Sequence, residues 1–355
     1  MDNDSDGSSS ALSAAVAYFL TRFAGVVGGI LLIGAGLLYA KQESLLYFPE
    51  IGGVPRRPAD NPHRLRSPEE QRILEYEDHY ITCPKDGVTI HAWWCLKGSK
   101  ALLPTILFFH GNAGNIGLRL PNARQMMHNL EANILMVEYR GYGNSDSVAP
   151  TEAGLKLDAE TALAFVRDQV GDKVPVYVFG RSLGGAVAID VACRTSLRLD
   201  GVIVENTFTS ISDMVDQLMP FLTPIKPFVL KIGWNSKKLL TETEPSRLQK
   251  LRFLFLAGAK DELVPHSQML DLHRLVPNGR LHIIDNGTHN ESWMQGGPAY
   301  WDAFRSFVHP DASPLPPSID FPSSPDPEAS SIPTMPNDFQ GMVEEAAGSS
   351  HKKEL

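Results

Sequence analysis

The stretch PVYVFGRSLGGAVAI, residues 175–189, constrains the fold of this chain more than any other. An apolar run ends in Gly180-Arg181-Ser182-Leu183-Gly184 and passes at once into a helix-forming series of small residues. Glycines two before and two after a serine permit a sharp strand-to-helix turn, because any side chain there would strike the neighbouring strand or helix. The serine hydroxyl is thereby lifted clear of the sheet. Taken alone, the same pattern fits an ordinary tight turn. What separates the two readings is whether partners for the hydroxyl stand elsewhere along the chain.

Strand and helix patterns alternate on both sides of that turn. YEDHYIT and VTIHAWWCL flank Lys85-Asp86-Gly87 and read as an antiparallel hairpin. Short apolar runs follow in TILFFH, NILMVEYRG, VPVYVFG, GVIVENTF, RFLFLAG and RLHIID, with helix-like sequence between them. Strands apolar on both faces and separated by helices predict an α/β fold with a mostly parallel central sheet covered on both sides. Residues 210–240, rich in Met, Phe, Leu and Pro, break the alternation and are expected to form a small helical cap over the carboxyl edge of the sheet. The tail is dense in proline, serine and acidic residues and is expected to be disordered. The expected organisation is a segment 1–22, a transmembrane anchor 23–40, a linker arm 41–75, an α/β domain 76–308 with its cap at about 209–245, and a tail 309–355.

The anchor rests on FAGVVGGILLIGAGLLYA, residues 23–40, which are 18 uncharged and almost wholly apolar residues. At about 1.5 Å rise per residue such a helix can cross a bilayer core with Arg22 at one interface. A cleaved signal peptide is disfavoured by Asp2, Asp4 and Asp6, where a basic start is wanted. The remaining rival is a helix buried in the fold. Lys41, Arg56 and Arg57 follow the run and only Arg22 closely precedes it, which favours a domain on the cytosolic face. The HKKEL end shares its last two residues with lumenal retention signals and points the other way. Two sequons, at Asn286 and Asn290, flank His289, where glycans would crowd that side chain. The expectation is a single-pass, signal-anchored protein of an endomembrane, the endoplasmic reticulum among the candidates, with the lipid bilayer as a partner.

A net charge of −9 opposes a nucleic-acid partner, which would want a basic face. Three widely spaced cysteines, Cys83, Cys95 and Cys193, form neither a disulfide framework nor a zinc pattern. In sheets of this kind ligands sit at the carboxyl ends of the strands. Three reactive side chains fall there: Ser182, Asp261 in FLFLAGAKDELVP, and His289 in IIDNGTHN. A serine hydroxyl is a poor nucleophile until a neutral imidazole takes its proton, and a carboxylate fixes the imidazole tautomer. Glu205, at the end of GVIVE, is a second candidate for the acid. In HGNAGNIG the glycines fit neither a dinucleotide fingerprint nor a P-loop, so nucleotide binding is set aside. The loop is expected instead to offer the Asn112 N–H, with the Leu183 N–H, to a developing oxyanion. His110 reads as structural, and Arg140 and Tyr142 as loop braces. No metal and no organic cofactor is expected.

Taken together, HGNAGNIGLRLPNA, EYRGYGNSD, FGRSLGGAVAI, VENTFTSI, GAKDELVP and GTHNESW resemble the α/β-hydrolase domain-containing protein 13 group, a membrane-anchored branch of the serine hydrolases. The blocks stand in the same order over roughly residues 43–308. The resemblance implies an α/β-hydrolase fold, an N-terminal anchor and a Ser182/Asp261/His289 triad. Related enzymes with an HGNA loop cleave palmitoyl thioesters from proteins. It therefore implies hydrolysis of acyl esters or thioesters, on small-molecule or protein substrates, palmitoyl-protein thioesters among them. Two other classes stay open. A peptidase would want an amine-binding acid pair, which is not evident, and a non-catalytic scaffold would have no need of a whole triad.

Overall fold

The computed structural model describes residues 5–311, and for part of the N-terminal helix the backbone alone. The expected tail from 312 onward lies outside the described residues. The chain begins with helix α1 (Ser5–Leu46) and an irregular arm, then the antiparallel pair β1 (Tyr76–Thr82) and β2 (Thr89–Cys95). Next come β3 (Thr105–Phe109), α2 (Leu120–Leu130), β4 (Asn133–Val137) and α3 (Glu152–Val170). They are followed by β5 (Val176–Arg181), α4 (Leu183–Arg194) and β6 (Gly201–Glu205). Four short helices intervene: α5 (Ile211–Leu218), α6 (Lys226–Val229), α7 (Ser236–Glu242) and α8 (Pro245–Lys250). The chain then forms β7 (Phe253–Gly258), α9 (His266–Arg274), β8 (Gly279–Ile284), α10 (Ser292–Gln295) and α11 (Gly297–Val308).

The eight strands make one sheet in the order β1-β2-β4-β3-β5-β6-β7-β8, parallel from β4 to β8. Successive residues of each central strand point to opposite faces, and both faces are apolar, so two cores form. Leu107, Phe109, Val137, Val178 and Val204 pack on one face with α3 and α4. Ile106, Phe108, Met136, Phe179 and Ile203 pack on the other with α2 and α11. Each such side chain contributes roughly 1.5–3 kcal/mol by leaving water. This double covering fixes the strand ends, and the strand ends carry the site. The architecture is the core α/β-hydrolase fold.

The expectation of a membrane anchor at 23–40 does not hold. Among the described residues, no helix is long and apolar enough to cross a membrane. The apolar run lies within α1, and the last turns of that helix belong to the domain. Gln42 is buried there and bonds to the chain after α6, and Leu38, Leu45 and Leu46 line an internal cavity. An apolar helix face looks the same in sequence whether it meets lipid or protein. The expectations built on the anchor go with it: the single-pass endomembrane placement, the orientation and the bilayer partner.

Candidate active site

Ser182 sits between β5 and α4 with φ 55° and ψ −122°. A non-glycine residue held at positive φ costs on the order of 1–3 kcal/mol and persists only where its surroundings enforce it. Here they do. The Ser182 N–H donates to the Glu205 carbonyl (3.0 Å), and the Ser182 carbonyl accepts from Thr207 Oγ1 (2.7 Å). The flanking glycines are steric necessities. A Cβ on Gly180 would lie 1.9 Å from the Gly184 carbonyl oxygen, and one on Gly184 would lie 2.1 Å from that of Phe109.

Asp261 follows β7 and His289 follows β8. His289 Nδ1 lies 2.8 and 3.0 Å from the two Asp261 carboxylate oxygens. Asp261 Oδ1 also accepts from the Leu263 and Val264 N–H groups (2.9 and 2.8 Å), so the carboxylate cannot swing away. Its side chain is 1% exposed and that of His289 5%. Among the described residues no hydrogen bond joins Ser182 Oγ to His289, a contact that commonly tightens only around bound substrate. The rival acid, Glu205, is engaged elsewhere. Arg181 donates to it from Nε (2.9 Å) and Nη2 (2.7 Å), deep beneath the turn. Burial pushes the Glu205 carboxyl above its usual range, against the pull of Arg181.

Asn206, which sequence reasoning passed over, ties together the loops that carry Asp261 and His289. It holds φ 48°, a conformation asparagine tolerates better than most residues. Its Oδ1 accepts from the Gly258 N–H (2.8 Å), and its Nδ2 donates to the Thr288 and His289 carbonyls (2.9 and 3.0 Å). An asparagine placed directly after a strand, at the turn toward the cap, was the available signal.

The loop after β3 is clipped from two sides. Tyr139 and Tyr142 donate to the His110 and Asn112 carbonyls (3.0 and 2.8 Å), so the EYRGYG block braces this loop. Burial raises both phenols well above their ordinary range and keeps them neutral donors. Arg140 braces a different place, bonding Asp158 and Asp86. From the other side comes the arm after α1. Phe48 N–H donates to the Asn112 carbonyl (3.0 Å), and Asn112 Nδ2 donates to the Leu46 carbonyl (3.0 Å). Leu183, as the first residue of α4, has an N–H with no intrahelical acceptor. His110 is fully buried, with Nε2 3.5 Å from Glu138 Oε2.

Ser182, Leu183 and Asn112 open onto one cavity. Its walls are apolar: Leu46 from α1, Phe208, Met214 and Leu218 around α5, and Val264 after β7. Lys226 is the only charged residue among its described lining residues, and it is ion-paired with Asp216.

Residues 102–251 match the family described as serine aminopeptidase, S33. The chain is 37% identical over 306 residues to the α/β hydrolase domain-containing protein WAV2 of Arabidopsis thaliana, covering 82% of this chain and 95% of that protein. It is 35% identical over 303 residues to protein bem46 of Schizosaccharomyces pombe, covering 84% and 95%. The Pyrococcus furiosus esterase Pf2001 superposes with a TM-score of 0.53 at 20% identity, over 69% of this chain and 95% of that one, a likeness of fold. The narrower resemblance to the membrane-anchored α/β-hydrolase domain-containing protein 13 group is not carried. What matches is the general family, and no described helix has the length and apolarity of an anchor. The chain belongs to the α/β-hydrolase family and is a serine hydrolase.

Proposed function

We propose that the protein hydrolyses small acyl esters or thioesters, with Ser182 as nucleophile, His289 as general base and acid, and Asp261 as the orienting carboxylate. Ser182 Oγ attacks the carbonyl carbon while His289 takes its proton. The Asn112 and Leu183 N–H groups hold the oxyanion, each worth on the order of 3 kcal/mol at the transition state. The carbonyl re-forms as the alcohol or thiol leaves with the proton from His289. Water, deprotonated by the same imidazole, then releases the acid and frees the serine. Asp261 stays ionised throughout and steadies the imidazolium.

The observation that carries this reading is the apolar cavity onto which Ser182 opens. An acyl chain gains about 0.8 kcal/mol per buried methylene in such a place. The family description points to a second reading, an aminopeptidase. An aminopeptidase has to hold a substrate ammonium, and no acidic residue is among the described residues lining the cavity. Purified protein offered p-nitrophenyl esters, acyl thioesters and aminoacyl p-nitroanilides decides between them. Hydrolysis of esters and thioesters with inert anilides is expected. Anilide cleavage with inert esters would overturn the proposal.

A further inference from the structure

One wall of the cavity comes from the helix that precedes the sheet. Leu38, Gln42, Leu45 and Leu46 recur at the i, i+4, i+7, i+8 spacing that aligns one face of a helix, and all four line the cavity. Gln42 is buried, and its amide is fully engaged. Nε2 donates to the Val229 carbonyl (3.1 Å), and Oε1 accepts from the Lys231 and Ile232 N–H groups (2.6 and 2.9 Å). Val229 ends α6 and the other two follow it, where the chain runs on to Trp234, whose Nε1 donates to Tyr47 OH (2.8 Å). The end of α1, the arm behind it and the helices after β6 therefore close one cavity between them. Its reactive end is set by Leu46, whose carbonyl holds the Asn112 side chain. Leu38 lies eight residues back along the helix, about 12 Å farther from that end.

We propose that α1 sets the acyl-chain length the enzyme accepts: Leu38 is the stop against which the far end of the chain packs, and Gln42 pins that stop to the segment after α6. The proposal rests on the acyl-hydrolase reading above and adds to it the residues that measure the substrate. A helix is suited to this task because its side chains step along the cavity at fixed intervals, so a change of size at one position moves the end of the cavity. Leu37, the neighbour of Leu38, points away from the cavity and is 59% exposed. It serves as a control on the same helix.

The test compares kcat/KM for p-nitrophenyl acetate, butyrate, octanoate and dodecanoate in the full chain and in Leu38→Trp, Leu38→Ala and Leu37→Trp. Leu38→Trp is expected to lower the octanoate-to-acetate ratio about tenfold, the order of discrimination a hydrophobic pocket achieves. Leu38→Ala is expected to move the preferred chain to a longer ester, and Leu37→Trp to keep the wild-type preference. Melting temperatures identify the folded variants, and Leu38→Ala decides the matter where the tryptophan is not accommodated. A wild-type chain-length profile in folded Leu38→Trp or Leu38→Ala overturns the proposal while leaving the ester reading intact. A wild-type protein inert toward every ester overturns the reading and the proposal with it.

Discussion

The floor and the wall of the same cavity are built in opposite ways. The floor is the Ser182 turn, its neighbours at the strand ends and the loop that carries Asp261, backed by the loop that carries His289. It is set by steric exclusion and dense bonding: Gly180 and Gly184 admit no Cβ, and Asn206 spans both loops from beneath. The wall is α1, its arm and the helices after β6. It is joined by a few polar bonds between residues 187 and 190 apart in sequence, those of Gln42 and of the Tyr47–Trp234 pair. Large apolar side chains stand exposed there, Phe221 at 75% and Phe228 at 83%. Chemistry demands geometry fixed to about half an ångström, which only a packed scaffold supplies. Selectivity demands a surface of suitable shape, which a lightly attached wall provides. The difference predicts that the two regions fail differently when damaged.

The largest effect belongs to the floor. Asp261→Asn keeps an oxygen for the Leu263 and Val264 N–H groups but presents an NH₂ group to His289, which selects the wrong tautomer. We expect kcat to fall on the order of 10⁴-fold with KM little changed and the melting temperature nearly kept. Glu205→Gln is its counterpart, because it leaves the buried Arg181 guanidinium without its ion-pair partner. Breaking such a pair costs about 3–5 kcal/mol of stability, read as a lower melting temperature, while the folded fraction still turns over. Abolished turnover in a well-folded Glu205→Gln, together with an active Asp261→Asn, would move the acid to β6.

A smaller effect separates floor from wall directly. Tyr142→Phe removes one hydrogen bond to the Asn112 carbonyl, worth about 1 kcal/mol, so kcat should fall several-fold with KM for octanoate unchanged. Gln42→Ala strips three backbone groups at and just after the end of α6 of partners and should raise KM for octanoate more than it lowers kcat. Steady-state kinetics on both variants measure this. An equal loss of kcat in the two would abolish the distinction between the regions.

The same contrast explains what the sequence made legible. The turn at Ser182 is a local device, and the steric reason for its glycines lies within a few residues of chain plus one neighbouring strand. The parallel sheet was legible because both faces of each central strand are apolar. The wall was not legible. Residues 23–40 read as a membrane helix because apolarity alone does not say which side chains meet the fold: Leu38 lines the cavity while Leu32, Ile33 and Leu37 are exposed, and the buried role of Gln42 depends on residues 229–232. Asn206 was missed for a related reason: its partners, Gly258, Thr288 and His289, come together only once β7 and β8 are aligned.

The central claim, that Ser182 is the nucleophile, is tested most directly by covalent trapping. Wild-type protein and Ser182→Ala, each shown by its melting temperature to be folded, are treated with a fluorophosphonate, digested and read by mass spectrometry. One adduct is expected in the wild type, on the peptide carrying Ser182, and none in the variant. Equal labelling of the two proteins, or an adduct on a different residue, would contradict it.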